Sequence, residues 1–356
     1  MLDAVSFDVT GSPARIVFGR GARGQTPDIL RDLGITRALV LSTEAQKETA
    51  DAFACTLGKS CLGVFAGAVM HTPVHATEAA LEIVREQRVD GLVAFGGGST
   101  IGLSKAIAYR TDLPQVALPT TYAGSEVTNI LGQTADGAKT TLKSPRLIPE
   151  VVIYDAELTL SLPVGMSVTS GINAMAHAVE GLYARDRNPV SAMIAAEGCR
   201  AMIEALPRIA QAPADIAARE RAFVGSWLCG TVLGQAGMAL HHKLCHVLGG
   251  LYDLPHAETH TVILPHATAF NARAVPQLLV PVAEALGAQM PGAGLWDFAQ
   301  ALGAPHSLRD LGMPEDGIDR AADAAVAQPY WNPAPIGRDA IAALIRAAWA
   351  GQRPDA

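Results

Sequence analysis

Six of the ten histidines in this 356-residue chain fall between residues 241 and 266: His241, His242, His246, His256, His260 and His266. Packing alone seldom gathers so many imidazoles. His242 and His246 are four apart and share a helical face. Gly249-Gly250 would end that helix, and Pro255 would set His256 after a turn. An earlier stretch, 171–184, reads as a helix with an apolar stripe at Ile172, Met175, Ala176, Val179, Leu182 and Tyr183. Its other stripe carries Asn173, His177 and Glu180. His177, His242 and His256 can thus converge from two helices and a turn. Such a set either holds a divalent metal or forms a cationic pocket for an acidic substrate. His71, His75, His260, His266 and His306 are expected to be structural or surface residues.

A second chemistry is written in glycine. Gly96-Gly97-Gly98-Ser99-Thr100 follows an apolar strand and precedes a helix, expected from about Ile101 to Tyr109. Glycines let a backbone approach a pyrophosphate, and the helix N-terminus favours the anion. Pro119–Glu126 again follows a strand, and Thr43 ends another where an adenosine ribose would be read. No acidic residue stands at 43, so NADH and NADPH both remain open. Gly19-Arg20-Gly21-Ala22-Arg23-Gly24 also matches GxGxxG, with Glu44 twenty residues on. It is demoted because the strand before it is expected to belong to a hairpin.

These loops need a sheet. Ala38–Ser42, Gly91–Phe95, Gln115–Leu118 and Val151–Tyr154 are short apolar runs, with Leu62–Phe65 a weaker fifth, and helical stretches lie between them (44–57 and 77–87). That alternation predicts a parallel sheet covered on both faces. Val5–Thr10 and Arg15–Phe18 flank a Gly-Ser-Pro turn and predict a hairpin beside it. Beyond Ala156 the strand signal ends and Ala-rich helices take over, so the expected domains are 1–156 and 157–356. With 49% hydrophobic residues and no apolar run of spanning length, neither a disordered chain nor a membrane span fits. The formal net charge of −7, without basic blocks, argues against a nucleic-acid partner. Five scattered cysteines without CxxC, and no basic-then-apolar opening, predict a cytoplasmic protein with reduced thiols.

In this order the motifs resemble the iron-containing alcohol dehydrogenase family, whose fold is shared with dehydroquinate synthase. The resemblance rests on residues 18–22, 96–99, 119–128, 171–181 and 242–266. It implies an α/β dinucleotide-binding domain with a parallel sheet, followed by an all-α domain. It also implies that Gly97, Gly98 and Ser99 hold the pyrophosphate. Thr120, Thr121 and Ser125 would face the adenine, ribose and nicotinamide side, and Lys139 the nicotinamide ribose. The family binds its metal through Asp, His, His and His, matched here by Asn173, His177, His242 and His256. Asparagine replaces the one anionic ligand, which weakens a hard-ion site; no metal requirement is expected.

That departure, with His241–His246 and Thr120–Glu126, resembles a subgroup that reduces the C=C bond of maleylacetate. The product is 3-oxoadipate, the reductant NADH or NADPH, and the setting bacterial breakdown of aromatic compounds. Members are regarded as working without metal. The resemblance then casts His177, His242 and His256, with Lys243, as stabilisers of the enolate oxygen. His246 would orient the nicotinamide or relay a proton. Tyr122, Asn173, His241 and Tyr330 are assigned to the small dicarboxylate substrate, and Ala334 stands where arginine is expected. A homodimer is expected by the same likeness. The competing readings are a metal-dependent alcohol or aldehyde dehydrogenase, a sugar-phosphate cyclising lyase, and a non-catalytic nucleotide-binding protein.

Overall fold

The computed structural model describes residues 14–135 and 138–355, which divide into two compact units at Leu162/Pro163. In the first unit six strands form one parallel sheet: β1 (Arg15–Phe18), β2 (Ala38–Leu41), β3 (Cys61–Phe65), β4 (Gly91–Gly96), β5 (Gln115–Pro119) and, after a hairpin, β8 (Val151–Tyr154). Their order is β1-β8-β5-β4-β2-β3. Strands buried on both faces need apolar side chains at every position, and alternation sorts them between two cores. Val40, Val93, Phe95, Val116 and Leu118 join α1 (Thr26–Asp32) and α2 (Lys47–Thr56) on one face. Leu39, Leu41 and Leu92 meet α3 (Val74–Glu86) and α4 (Gly98–Thr111) on the other.

Arg15–Phe18 pairs in parallel with β8 and is the outermost strand among the described residues, so the 19–24 glycines do follow a strand of the parallel sheet. The other hairpin arm, Val5–Thr10, lies outside the described residues. An unforeseen antiparallel pair, β6 (Ile130–Ala135) and β7 (Ala138–Lys143), is inserted between β5 and β8.

The second unit is helical, with no strand among its described residues: α5 (Val164–Tyr183), α6 (Pro189–Gln211), α7 (Ile216–Gln235), α8 (Leu240–Tyr252), α9 (His256–Ala272), α10 (Val280–Leu286), α11 (Pro291–Ala301), α12 (Gly317–Val326) and α13 (Arg338–Ala350). Helices α5, α6 and α7 approach closely through small residues. A Cβ at Gly198 would lie 2.8 Å from Cys229 Sγ, and one at Gly225 2.9 Å from Met202 Cγ. Helix α5 is buried on all sides from Ser167 to Tyr183, so each polar side chain it carries there must find a partner inside the protein. Among the described residues no single helix is long and apolar enough to cross a membrane.

Candidate active site

The chain runs from β2 outward to β3, then returns to β4 on the other side of β2. Open parallel sheets bind ligands at such a reversal, beyond the carboxyl ends of the strands. Gly97 caps α4 there, and the helix begins at Gly98, three residues earlier than expected. A Cβ at Gly97 would sit 2.7 Å from Thr121 Cγ2, whereas one at Gly98 would meet nothing within 4 Å. A side chain at 97 would therefore push against Thr121 in the loop after β5, and glycine at 98 leaves the helix N-terminus bare. Gln46, which sequence reasoning passed over, joins the same edge: its Nε2 donates to Thr120 Oγ1 at 3.0 Å. Thr43, half-buried, opens the 3₁₀ turn that carries Gln46.

The loop holding Ser125 is fixed from below. The buried Lys105 ammonium reaches the carbonyls of Ser125, Thr128 and Ile130 and the Thr128 hydroxyl at 2.5–3.0 Å. Burial pulls Lys105 down to about 7 against the pull of Glu126. Ser125 Oγ is buried with no hydrogen-bond partner. Tyr122 is fully buried, and its hydroxyl donates to Thr159 Oγ1 at 3.0 Å, a position inside this unit's own core. The side chain of Lys139 lies outside the described residues. The 19–24 glycine loop has a different anion: Gly21 N–H and Arg23 N–H donate to the Asp155 carboxylate at 3.0 and 3.3 Å. A protein carboxylate thus takes the N–H groups that a phosphate would need.

In the helical unit, α5 supplies Asn173, His177 and Glu180, α8 supplies His241, His242, Lys243 and His246, and α9 begins at His256. Glu180 organises them. Its fully buried carboxylate accepts from the backbone N–H groups of Ala239, His241 and His242 at 3.0, 2.9 and 3.3 Å. It accepts from His242 Nδ1 at 2.6 Å. Burial alone would raise the carboxyl; the His242 hydrogen bond and charge, with the backbone donors, outweigh it and hold Glu180 below the usual carboxylate range. His242 Nε2 is then turned to His177 Nδ1, 2.9 Å away. Because Nδ1 of His242 donates to the carboxylate, the neutral ring accepts at Nε2; once protonated it donates there.

Other imidazoles pack around this pair. His260, expected to be structural, lies with its centroid 4.3 Å from His256, 5.1 Å from His242 and 4.8 Å from His241. Burial first, then the neighbouring imidazoles, push His241 and His260 well below the ordinary histidine range. His246 is exposed on α8, 6.3 Å from the His242 ring. Lys243 Nζ lies 5.7 Å over the Tyr330 ring. Two buried oxygens, Asn173 Oδ1 and Tyr330 Oη, have no hydrogen-bond partner. Asn332 ties the Tyr330 segment to this centre: it exchanges hydrogen bonds with Asn271 at 3.0 and 2.7 Å and accepts from Leu240 N–H at 3.4 Å. Ala334 is buried there, in a cleft it shares with Tyr330 and Trp331.

Family models match both parts of the chain: iron-containing alcohol dehydrogenase over residues 13–156, and its C-terminal counterpart over 167–349. The chain belongs to the iron-containing alcohol dehydrogenase family. Among curated members of that family it is 58% identical to the maleylacetate reductase of Rhizobium sp. (strain MTP-10005), covering 98% of this chain and 99% of that one. It is 52% identical to that of Sphingobium indicum, over 96% and 97%. The crystal structure of maleylacetate reductase from Agrobacterium tumefaciens superposes with a TM-score of 0.95 at 58% identity, covering 98% of this chain and 100% of that one.

The family name raises iron, and the donors at the four family positions do not suit it. Asn173 offers a neutral carbonyl where an anion would be needed. His177 Nδ1 and His242 Nε2 lie 2.9 Å apart and share a hydrogen bond in this structure. Among the described residues, the one His, Cys, Asp or Glu group whose donor atoms gather within 4.8 Å is His241, Cys245 and His260. The dinucleotide cradle, by contrast, fits its ligand: a bare helix N-terminus, an interlocked glycine and an unpartnered Ser125 hydroxyl.

Proposed function

We propose that this chain is an NAD(P)H-dependent reductase of the C=C bond of maleylacetate, giving 3-oxoadipate, and that it needs no metal. The observation that carries the reading is the buried Glu180–His242–His177 relay beside Asn173, in a chain 58% identical to a maleylacetate reductase. Gly97, Gly98 and Ser99 bind the pyrophosphate, and Thr43, Gln46, Thr120, Thr121 and Ser125 the remainder of the dinucleotide. When bound, NADH or NADPH supplies the hydride.

Hydride addition to one alkene carbon leaves negative charge on the conjugated carbonyl oxygen, and the neighbouring carbon takes a proton. Imidazole donors aimed at that oxygen do the work that a Lewis acid does elsewhere. Glu180 fixes the tautomer of His242, and a proton on its Nε2 passes to His177 Nδ1. His177 then releases a proton from Nε2, and after turnover a solvent proton enters at that nitrogen while the Nδ1 proton returns to His242 Nε2. Lys243 neutralises a substrate carboxylate, and the Tyr330 hydroxyl and the Asn173 amide N–H donate to its oxygens. Tyr122 contributes to packing rather than to substrate contact. The active species is a cytoplasmic homodimer.

The test is initial-rate NADH oxidation with maleylacetate on chelator-treated enzyme of verified metal content, beside His242→Ala. Full activity without metal, and a turnover at least ~100-fold lower in the variant with NADH binding retained, are expected. Activity restored only by added iron, or an unimpaired variant, would refute the reading.

A further inference from the structure

Helix α8 carries a second donor set that the relay leaves unused. His241 and Cys245 are four residues apart, hence on one face of α8, and His260 reaches them from α9. His241 Nε2 lies 3.7 Å from Cys245 Sγ and 2.9 Å from His260 Nδ1. All three residues are buried, and one donor atom from each falls within 4.8 Å of the others. His241 Nδ1 and His260 Nε2 are buried nitrogens with no hydrogen-bond partner.

We propose that His241, Cys245 and His260 bind a thiophilic transition-metal ion of the Zn2+ class, at a site separate from the Asn173, His177, His242 and His256 positions. A thiolate and a neutral imidazole bound to one tetrahedral zinc stand about 3.6 Å apart, given bond lengths of ~2.3 and ~2.05 Å. The Cys245–His241 pair is within about 0.1 Å of that spacing. Two imidazoles on the same ion stand about 3.3 Å apart, so the His241–His260 pair must open by a few tenths of an ångström. Binding through both rings moves the proton shared by His241 Nε2 and His260 Nδ1 to an outer ring nitrogen. Cys245 would release its proton to solvent on binding, and a tetrahedral ion would keep one position for water or a small anion.

His260 also packs against His242 and His256. An ion that draws His260 towards Cys245 therefore disturbs the relay, and the site acts as an inhibitory one. The activity arm of the test rests on the proposed reductase reading; the binding arms do not. Full-length, chelator-treated protein is titrated with Co2+, then Zn2+. One equivalent of Co2+ is expected to give a sulfur-to-cobalt charge-transfer band that zinc displaces, and X-ray absorption of the wild-type zinc form one sulfur at ~2.3 Å with nitrogen neighbours. Cys245→Ser should abolish the band, His260→Gln should weaken zinc binding about tenfold or more, and Asn173→Ala should retain the band. A shell without sulfur, a band that survives Cys245→Ser, or one lost in Asn173→Ala would overturn the proposal. Bound zinc is expected to slow NADH oxidation about tenfold or more; a zinc-loaded enzyme of full activity would overturn its inhibitory role.

Discussion

Glu180 performs two tasks with one carboxylate. It closes the start of α8 by taking three backbone N–H groups from a different helix, and it sets which nitrogen of His242 carries a proton. Glu180→Gln keeps the shape and removes the charge. Turnover should fall about 100-fold or more, the scale of lost proton-transfer assistance, and stability by about 2–4 kcal/mol, because buried charge-assisted hydrogen bonds go with it. Steady-state kinetics and urea unfolding on the same preparation check both. His177→Gln should lose turnover to a similar degree while unfolding at nearly the wild-type urea concentration. Glu180 was present in the sequence as the third member of a polar stripe, three residues after His177. Nothing in that spacing says that the backbone it serves lies about 60 residues further on.

At the scale of elements, β2, β4, β5 and β8 were legible because strands buried on both faces leave unbroken apolar runs. β1 is four residues long and partly exposed, so its pairing with β8 could not be read from composition. The β6–β7 pair carries polar residues such as Gln133, Thr134, Thr140 and Thr141, without the apolar alternation that marks a half-buried strand. The loop before it is held by Lys105, a lysine inside a helix whose amphipathic pattern gave no warning. Lys105→Met should free the turn at 125–130 and raise the KM for NADH about tenfold, a loss of ~1.4 kcal/mol, with kcat largely kept. Gly97→Ala, which drives a methyl into Thr121, should weaken NADH binding by a similar factor in fluorescence titration. An unchanged KM in the first or unchanged binding in the second would show that these loops tolerate more play than their packing suggests.

For the molecule as a whole, buried imidazoles couple the fold to acid. His266 is pulled down to about 4 by burial, against an ordinary value of 6.5 in the unfolded chain. The unfolded chain therefore binds the extra proton first, so this contribution is complete above pH 6.5 and is lost as pH falls towards 4. Between pH 7 and pH 5 the loss from His266 is about 2 kcal/mol, and His241 and His260 shift in the same direction. Thermal melts should show a steep decline below pH 6.5, and His266→Gln, if it folds, should flatten it. The shared duty of Glu180 also bears on heredity. A genetic screen that scores folded protein and growth separately would recover well-expressed, inactive alleles at codon 177. At codon 180 it would recover alleles with less folded protein as well as lost growth, because one carboxylate serves both the helix and its chemistry.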